Sequence, residues 1–182
     1  YCLNETNGAC IWNYNFTTGT SILGSPAVAG GKVFIGVCGG GGGSGAYAFD
    51  EFASGPTGIM LWDRPLPENV SSSPAVDIGN NKVIIGCMGG NTYGLYATNG
   101  TIAWTATTGP INMSSPAISS NGYVYIGSTN GRVYCLYEVN GTQVWDHNTG
   151  TEIVSSPALT YNHVVIGSKN GYLYCFGPEF PT

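Results

Sequence analysis

The sequence has few charged side chains. Charged residues make up 8% of its 182 residues, with five lysines and arginines against ten aspartates and glutamates. A net charge of -5 provides no basic surface that could follow a phosphate backbone, which excludes nucleic acid as a partner class. His147 and His163 are the two histidines of the sequence, so it has few candidates for a histidine acid or base.

Long hydrophobic runs are also missing from the sequence. The most apolar stretches, such as "KVIIGCMGG", are interrupted by glycine after a few residues. A membrane-spanning helix needs about 20 apolar residues in succession, so membrane insertion is not expected. What the chain has instead is glycine (29 residues) and aromatic side chains (12%), the profile of short strands joined by tight turns.

The six cysteines include no CxxC pair and no cluster with histidine, which argues against a zinc site. An even number of cysteines in a chain poor in charge favours disulfides formed in an oxidising compartment, although free buried thiols remain an alternative. Fifteen pairings are open, and similar repeat positions make Cys38 with Cys87 our first choice. The candidates are Cys2, Cys10, Cys38, Cys87, Cys135 and Cys175.

Six Asn-X-Ser/Thr triplets without proline point to the same compartment. We expect glycosylation at some of them, although two are also explained as Asn-Gly-Thr hairpin turns. The candidates are Asn4, Asn15, Asn69, Asn99, Asn112 and Asn140.

A repeat of about forty residues organises the chain. The tetrapeptides "SPAV", "SPAV", "SPAI" and "SPAL" begin at residues 25, 73, 115 and 156, and four tryptophans recur with the same rhythm. In the third unit, Asn-Gly pairs separate runs rich in β-branched and aromatic residues, a strong hairpin signal. This pattern predicts an antiparallel meander with strands at residues 115–119, 123–128, 132–137 and 142–146.

Four such units predict an all-β fold, a four-bladed β-propeller of four-stranded antiparallel blades. The single domain spans residues 1–182. Its blades are predicted at about 25–63, 73–105, 115–146, and 156–176 together with 1–13. A β-sandwich would not explain four copies in register.

The third unit, "SSPAI...VYIGSTNGRVYCLYEVNGTQVW", resembles the PQQ-like propeller repeat, the repeat of quinoproteins, and the resemblance covers essentially the whole chain. It implies the propeller fold. The family also includes quinone-dependent dehydrogenases, in which eight blades surround a wide funnel that holds the quinone over a Trp with a calcium ion. Four blades would close on an axis too narrow for that cofactor, and only Arg64 and Arg132 offer guanidinium groups. We therefore assign no catalytic, cofactor-binding or metal-binding residue and expect no enzyme activity.

Other candidate sites have simpler structural explanations. His163 belongs to a strand pattern, "YNHVVIG", and the segment "DIGNN" from Asp77 to Asn81 has too few acids for a calcium loop and is typical of a turn. The repeated tryptophans favour packing between blades over sugar stacking. The first unit has two insertions, at residues 38–45 and 50–58. We expect any binding function that is specific to this protein to lie there.

Both ends of the chain match the third strand of a blade. The opening "YCL" corresponds to Tyr134, Cys135 and Leu136, and Trp12 corresponds to Trp145. Near the other end, "YCF" matches the same strand, so a blade built from both termini would have 51 residues where its neighbours have 41 and 42. The residues predicted to close the ring, or to mediate assembly, are Tyr1, Cys2, Leu3, Trp12, Tyr174, Cys175 and Phe176.

This duplication leaves several functions open. We favour a non-enzymatic propeller, extracellular or on the cell surface, that serves as a structural or interaction module and binds itself head to tail in a filament or binds other extracellular proteins. The alternatives are a fragment of an eight-bladed quinone-dependent dehydrogenase and a monomeric ligand-binding propeller.

Overall fold

The structure is a computed structural model that describes residues 1–16, 19–39 and 43–177. Within these ranges the chain forms eighteen β-strands and no helix, and hence no helix long and apolar enough to cross a bilayer. The strands form several antiparallel sheets that follow one another along the chain. The arrangement is all-β and consistent with a β-propeller.

Each unit of the repeat forms one sheet. Sheet I contains β4 to β7, with the short strand β3 paired to the far end of β5, and sheets II and III contain β8 to β11 and β12 to β15. Sheet IV contains β16 to β18, and β1 with β2 forms a separate N-terminal hairpin. The bounds are β1 Cys2–Leu3, β2 Cys10–Trp12, β3 Thr20–Ser21, β4 Ala27–Ala29, β5 Lys32–Gly39, β6 Gly45–Asp50, β7 Met60–Pro65, β8 Ala75–Asp77, β9 Lys82–Gly86, β10 Asn91–Tyr96, β11 Ile102–Thr107, β12 Ala117–Ile118, β13 Tyr123–Gly127, β14 Arg132–Tyr137, β15 Gln143–Asn148, β16 Ala158–Leu159, β17 Val164–Gly167 and β18 Leu173–Phe176.

The meander predicted for the third unit is present in sheet III. Strand β14 has the predicted bounds, whereas β12 is shorter than predicted and β15 lies one or two residues later. The Asn140-Gly141 turn joins β14 to β15, and Gly141 adopts a φ of 72°, which glycine accepts without strain. The Asn-Gly spacing therefore identified the hairpins correctly.

The core lies between successive sheets. Val70, Ile111 and Ile153 each follow one sheet and are fully buried. Each packs on a glycine of a second strand, where a β-carbon would come closer than 3.0 Å to the aliphatic side chain. The Ile-Gly pairs of these strands therefore leave space for the segment that enters the next sheet.

The last blade predicted from both termini is not formed within the residues that the structure describes. Strands β1 and β2 pair with each other, with Cys2 opposite Trp12, and β16 to β18 form a separate three-stranded sheet. The reason is local, because β1 occupies the edge of β2 that a third strand from the other end of the chain would need. The hairpin is also held on sheet I, where Asn13 N–H donates to the Pro56 carbonyl at 3.1 Å and the Asn13 carbonyl accepts from Gly58 N–H at 2.8 Å.

Candidate interaction site

Tryptophans close the junctions between neighbouring sheets. Trp62 and Trp104 lie on the fourth strands of sheets I and II and are 8% and 7% exposed. The Trp62 indole N–H donates to the Ala97 carbonyl of sheet II at 3.1 Å, and that of Trp104 donates to the Glu138 carbonyl of sheet III at 2.7 Å. Each ring thereby contributes packing and one directed hydrogen bond to its junction.

Each of these indoles covers a glycine of the next sheet. A β-carbon at Gly100 would lie less than 3.0 Å from the Trp62 ring, and one at Gly141 equally close to the Trp104 ring. Any residue other than glycine would therefore collide with the indole. The third such contact is between Trp12 of the N-terminal hairpin and Gly58 of sheet I. The Trp12 indole N–H is buried without a hydrogen-bond partner in the described part of the chain, unlike those of Trp62 and Trp104.

Trp145, on the fourth strand of sheet III, differs from the other three because it is only half-buried. Its ring lies 5.9 Å from that of Tyr125 and 5.3 Å from that of Phe176, measured between centroids. These rings border a cleft of about 560 Å³ between sheets III and IV. The cleft is further lined by Ser119, Asn121, Leu159, Thr160, Tyr161, Asn162, His163, Val164, Cys175 and Gly177.

A series of serine contacts also links the sheets. Ser25 N–H donates to the Ser73 hydroxyl at 2.8 Å, Ser73 N–H to that of Ser115 at 2.9 Å, and Ser115 N–H to that of Ser156 at 2.9 Å. These serines precede the prolines at 26, 74, 116 and 157, which lie just before the first strand of each sheet. Their recurrence before Pro-Ala in every unit indicates a role in the repeat architecture rather than as a nucleophile, and the structure shows that this role is a contact between neighbouring sheets.

The residues predicted for ring closure fall into two separate groups. Tyr174 and Phe176 stack at 6.4 Å on sheet IV, and the His147 ring lies 5.2 Å from that of Phe176. Tyr1 and Leu3 lie on the N-terminal hairpin, where they are 88% and 55% exposed. Cys2 and Trp12 belong to the hairpin and Cys175 to sheet IV, so the two groups are not brought together.

The six cysteines, all within the described ranges, are unpaired in this structure. The thiol of Cys38 donates to the Val70 carbonyl at 2.9 Å, and Cys87 pairs with Val70 through an isolated bridge. The predicted Cys38–Cys87 disulfide is therefore not formed, although the two residues lie on either side of Val70. Burial, followed by the Glu68 carboxylate, raises the pKa of Cys87 far above its ordinary value, which keeps the thiol protonated.

The glycosylation candidates occupy turns and connections. Asn15, Asn69, Asn99 and Asn140 are exposed, whereas Asn4 and Asn112 are half-buried. The Asn69 side-chain oxygen accepts from the Ser44 hydroxyl at 2.7 Å, which holds the end of the glycine-rich insertion next to sheet II. Residues 40–42 of that insertion lie outside the described residues.

The residues weighed for chemistry have structural contacts. Arg132 forms an ion pair with Asp146, and Arg64 Nε donates to the Gly100 carbonyl at 2.7 Å. Asp77 accepts from Asn80 N–H at 3.1 Å, as expected for the turn predicted there. Within the described ranges no group of three His, Cys, Asp or Glu side chains is arranged to hold a metal ion.

A family model described as the outer membrane protein assembly factor BamB matches residues 1–179 of the sequence. The chain belongs to this family. The match confirms the resemblance to the PQQ-like repeat. A search of curated proteins finds no match to this member of the BamB family.

Solved structures share the fold of this BamB family member. BamB from Moraxella catarrhalis matches with a TM-score of 0.74 at 23% identity, over 93% of this chain and 50% of that one. The computationally designed protein Ika4 matches with a TM-score of 0.74 at 19% identity, over 92% and 96%. A quinohemoprotein alcohol dehydrogenase from Pseudomonas putida HK5 matches with a TM-score of 0.65 at 18% identity, over 84% and 32%. The chain thus spans half the length of the Moraxella BamB structure.

Proposed function

We propose that the chain is a non-enzymatic structural or interaction module that assembles head to tail through its terminal sheets. The observation that carries this proposal is the half-buried Trp145 beside the three-stranded sheet IV. Assembly of successive copies in this way would produce a filament. The proposed location is outside the cell or in the cell envelope, and the match to an outer membrane assembly factor supports the second.

Strand addition is the mechanism that suits sheet IV. Sheets II and III have four strands each, whereas sheet IV has three, among the residues that the structure describes. Strand β18 forms one edge of this sheet, and its Leu173 side chain is 74% exposed. An edge strand offers main-chain donors and acceptors to an added strand, and the neighbouring side chains give the pairing its specificity.

The assembly proposal is tested by size as a function of concentration. Light scattering coupled to size-exclusion chromatography, followed by negative-stain microscopy, should give species that grow with concentration. Leu173→Lys places a charge on the edge strand and should shift the protein to the monomer. Val139→Lys is the matched control, because Val139 is 73% exposed in a turn of sheet III and lies away from this edge. A uniform wild-type monomer would contradict the proposal.

A second candidate function is that of a piece of a larger quinone-dependent dehydrogenase. The fold likeness to the Pseudomonas putida dehydrogenase, in which this chain covers 32% of that protein, favours it. Titration with pyrroloquinoline quinone and Ca²⁺ would then produce a bound quinone absorbance band. The module hypothesis expects no saturable change. Saturable binding of another small molecule by a monomer would favour the ligand-binding alternative.

A further inference from the structure

Three glycines are covered by an indole, but Gly8 of the N-terminal hairpin is not. Gly58, Gly100 and Gly141 each lie under a tryptophan of the preceding sheet or hairpin. A β-carbon at Gly8 would meet no atom of the described residues within 4 Å. Gly8 is therefore uncovered at the position where the other three glycines contact an indole.

The hairpin turn has the same shape as two turns that receive an indole. The φ angle is 71° at Gly8, 70° at Gly100 and 72° at Gly141. In each turn the glycine N–H donates at 2.8 Å to the carbonyl four residues earlier, which belongs to Asn4, Tyr96 or Tyr137. The preceding asparagine oxygen accepts from the residue after the glycine in all three, at 2.9 to 3.0 Å. The hairpin is thus preorganised to receive a tryptophan.

Trp145 supplies the complementary half of the contact. It occupies the fourth-strand position of Trp62 and Trp104, since it pairs with Cys135 as Trp104 pairs with Gly94. Trp62 and Trp104 are almost fully buried, whereas Trp145 is only half-buried beside the open cleft. The chain therefore presents one incompletely covered indole on sheet III and one uncovered turn glycine on the hairpin.

We propose that Trp145 of one copy packs on Gly8 of a second copy. The indole N–H then donates to the Glu5 carbonyl, because Glu5 holds the place that Ala97 and Glu138 hold in the other junctions. A second copy is the occupant because the hairpin of the same chain is held on sheet I through Asn13 and Trp12, with Gly8 open. This inference rests on the proposed self-assembly and names the residues that make its contact.

Two variants block opposite halves of the contact. Gly8→Val fills the space over the turn, and Trp145→Ala removes the indole. Each should raise the dissociation constant for self-association by at least about 30-fold relative to wild type. Gly122→Val is the control for the first, since Gly122 has a φ of 81° in a turn where a β-carbon is equally free. Tyr96→Ala is the control for the second, because Tyr96 is a 39% exposed aromatic side chain on sheet II and does not line the cleft. Circular dichroism checks that all four variants fold.

Mixing the two blocked variants provides the decisive measurement. The Gly8→Val copy retains Trp145 and the Trp145→Ala copy retains Gly8, so an equimolar mixture should form heterodimers with a single junction and stop there. Acrylamide quenching of tryptophan fluorescence should decrease in the mixture, as it does in assembled wild type, because Trp145 becomes covered.

The outcomes separate the two proposals. A wild type that never associates would overturn self-assembly and, with it, the Trp145–Gly8 contact. A wild type that assembles while Gly8→Val assembles equally well would overturn only the contact. A monomer whose Trp145 is protected from acrylamide at every concentration, and loses that protection in Gly8→Val, would also overturn it, because the two residues would then meet within one chain.

Discussion

The indole of Trp104 covers Gly141 of the next sheet, and a β-carbon at that glycine would collide with the ring. Gly141 also has a φ of 72°, a conformation that costs other residues about 1 to 2 kcal/mol. The contact joins a fourth strand to the turn before the next fourth strand. It therefore couples the position of one sheet to the local conformation of its neighbour.

Gly141→Ala should destabilise the protein by about 2 to 4 kcal/mol, because backbone strain and overpacking against Trp104 add. Gly122→Ala carries a similar backbone strain, has no described neighbour within 4 Å and should cost only about 1 kcal/mol. Urea unfolding followed by circular dichroism measures both losses. Equal losses in the free energy of unfolding would show that the Trp104 indole shifts to accept the added methyl group without destabilising the protein.

Ser72→Ala should destabilise the protein by about 1 to 3 kcal/mol. The fully buried Ser72 hydroxyl accepts from Gly86 N–H at 2.8 Å, and alanine would leave that N–H buried without a partner. Ser120→Ala, at an exposed turn position, should change the free energy of unfolding by less than about 0.5 kcal/mol. A Ser72→Ala loss as small as the control's would indicate that water replaces the hydroxyl.

Glu138 should make stability fall as the pH rises. Burial, followed by the Asp77 carboxylate, raises the pKa of Glu138 above its ordinary value of 4.5, against the opposing effects of Asn80 and Lys82. The folded state then holds the proton more tightly than the unfolded chain, so this contribution is largest below pH 4.5 and decreases up to the folded pKa. Urea unfolding from pH 4 to pH 7 should show the decrease in wild type relative to Glu138→Gln.

The control for this pH dependence is Glu152→Gln, which removes an exposed carboxyl group. Its stability should follow that of wild type across the range. A Glu138→Gln variant with the wild-type pH profile would contradict the assignment to Glu138.

The cysteines should differ sharply in their reactivity. Cys10 and Cys175 are exposed and should react first with a thiol reagent at pH 8. Burial raises the pKa of Cys135 to about 11, and Cys87 is fully buried, so both should react only on unfolding. Mass spectrometry of the labelled protein identifies the sites. Fewer than six thiols in unfolded, unreduced protein would show that disulfides form, as the sequence predicts.

Much of the fold could be predicted because its signals are local. Asn-Gly pairs such as Asn140-Gly141 require positive φ, and the bounds of β14 follow from the alternation between two such pairs. The Trp spacing likewise identified residues that pack between sheets. These features depend on a few consecutive residues or on a strict period.

The pairing of the terminal strands could not be predicted, because the segments that contain β1 and β18 have nearly the same sequence, "YCL" and "YCF". Either can lie beside β2, and the outcome depends on which one reaches it in space. The greater exposure of Trp145 relative to the other tryptophans could not be predicted either. Its period is regular, and only the three-dimensional arrangement reveals that its ring is partly open.

The serine contacts give the array of sheets a polarity. In every one, from Ser25 to Ser156, the sheet nearer the N-terminus supplies the N–H and the next sheet supplies the hydroxyl. The two ends of the array are thus chemically unlike, as are the two ends of any polymer with a direction. A structure that continues the same contacts beyond Ser156 must supply a hydroxyl, and one that precedes Ser25 must supply an N–H. An array extended through these contacts would therefore keep one direction along its whole length.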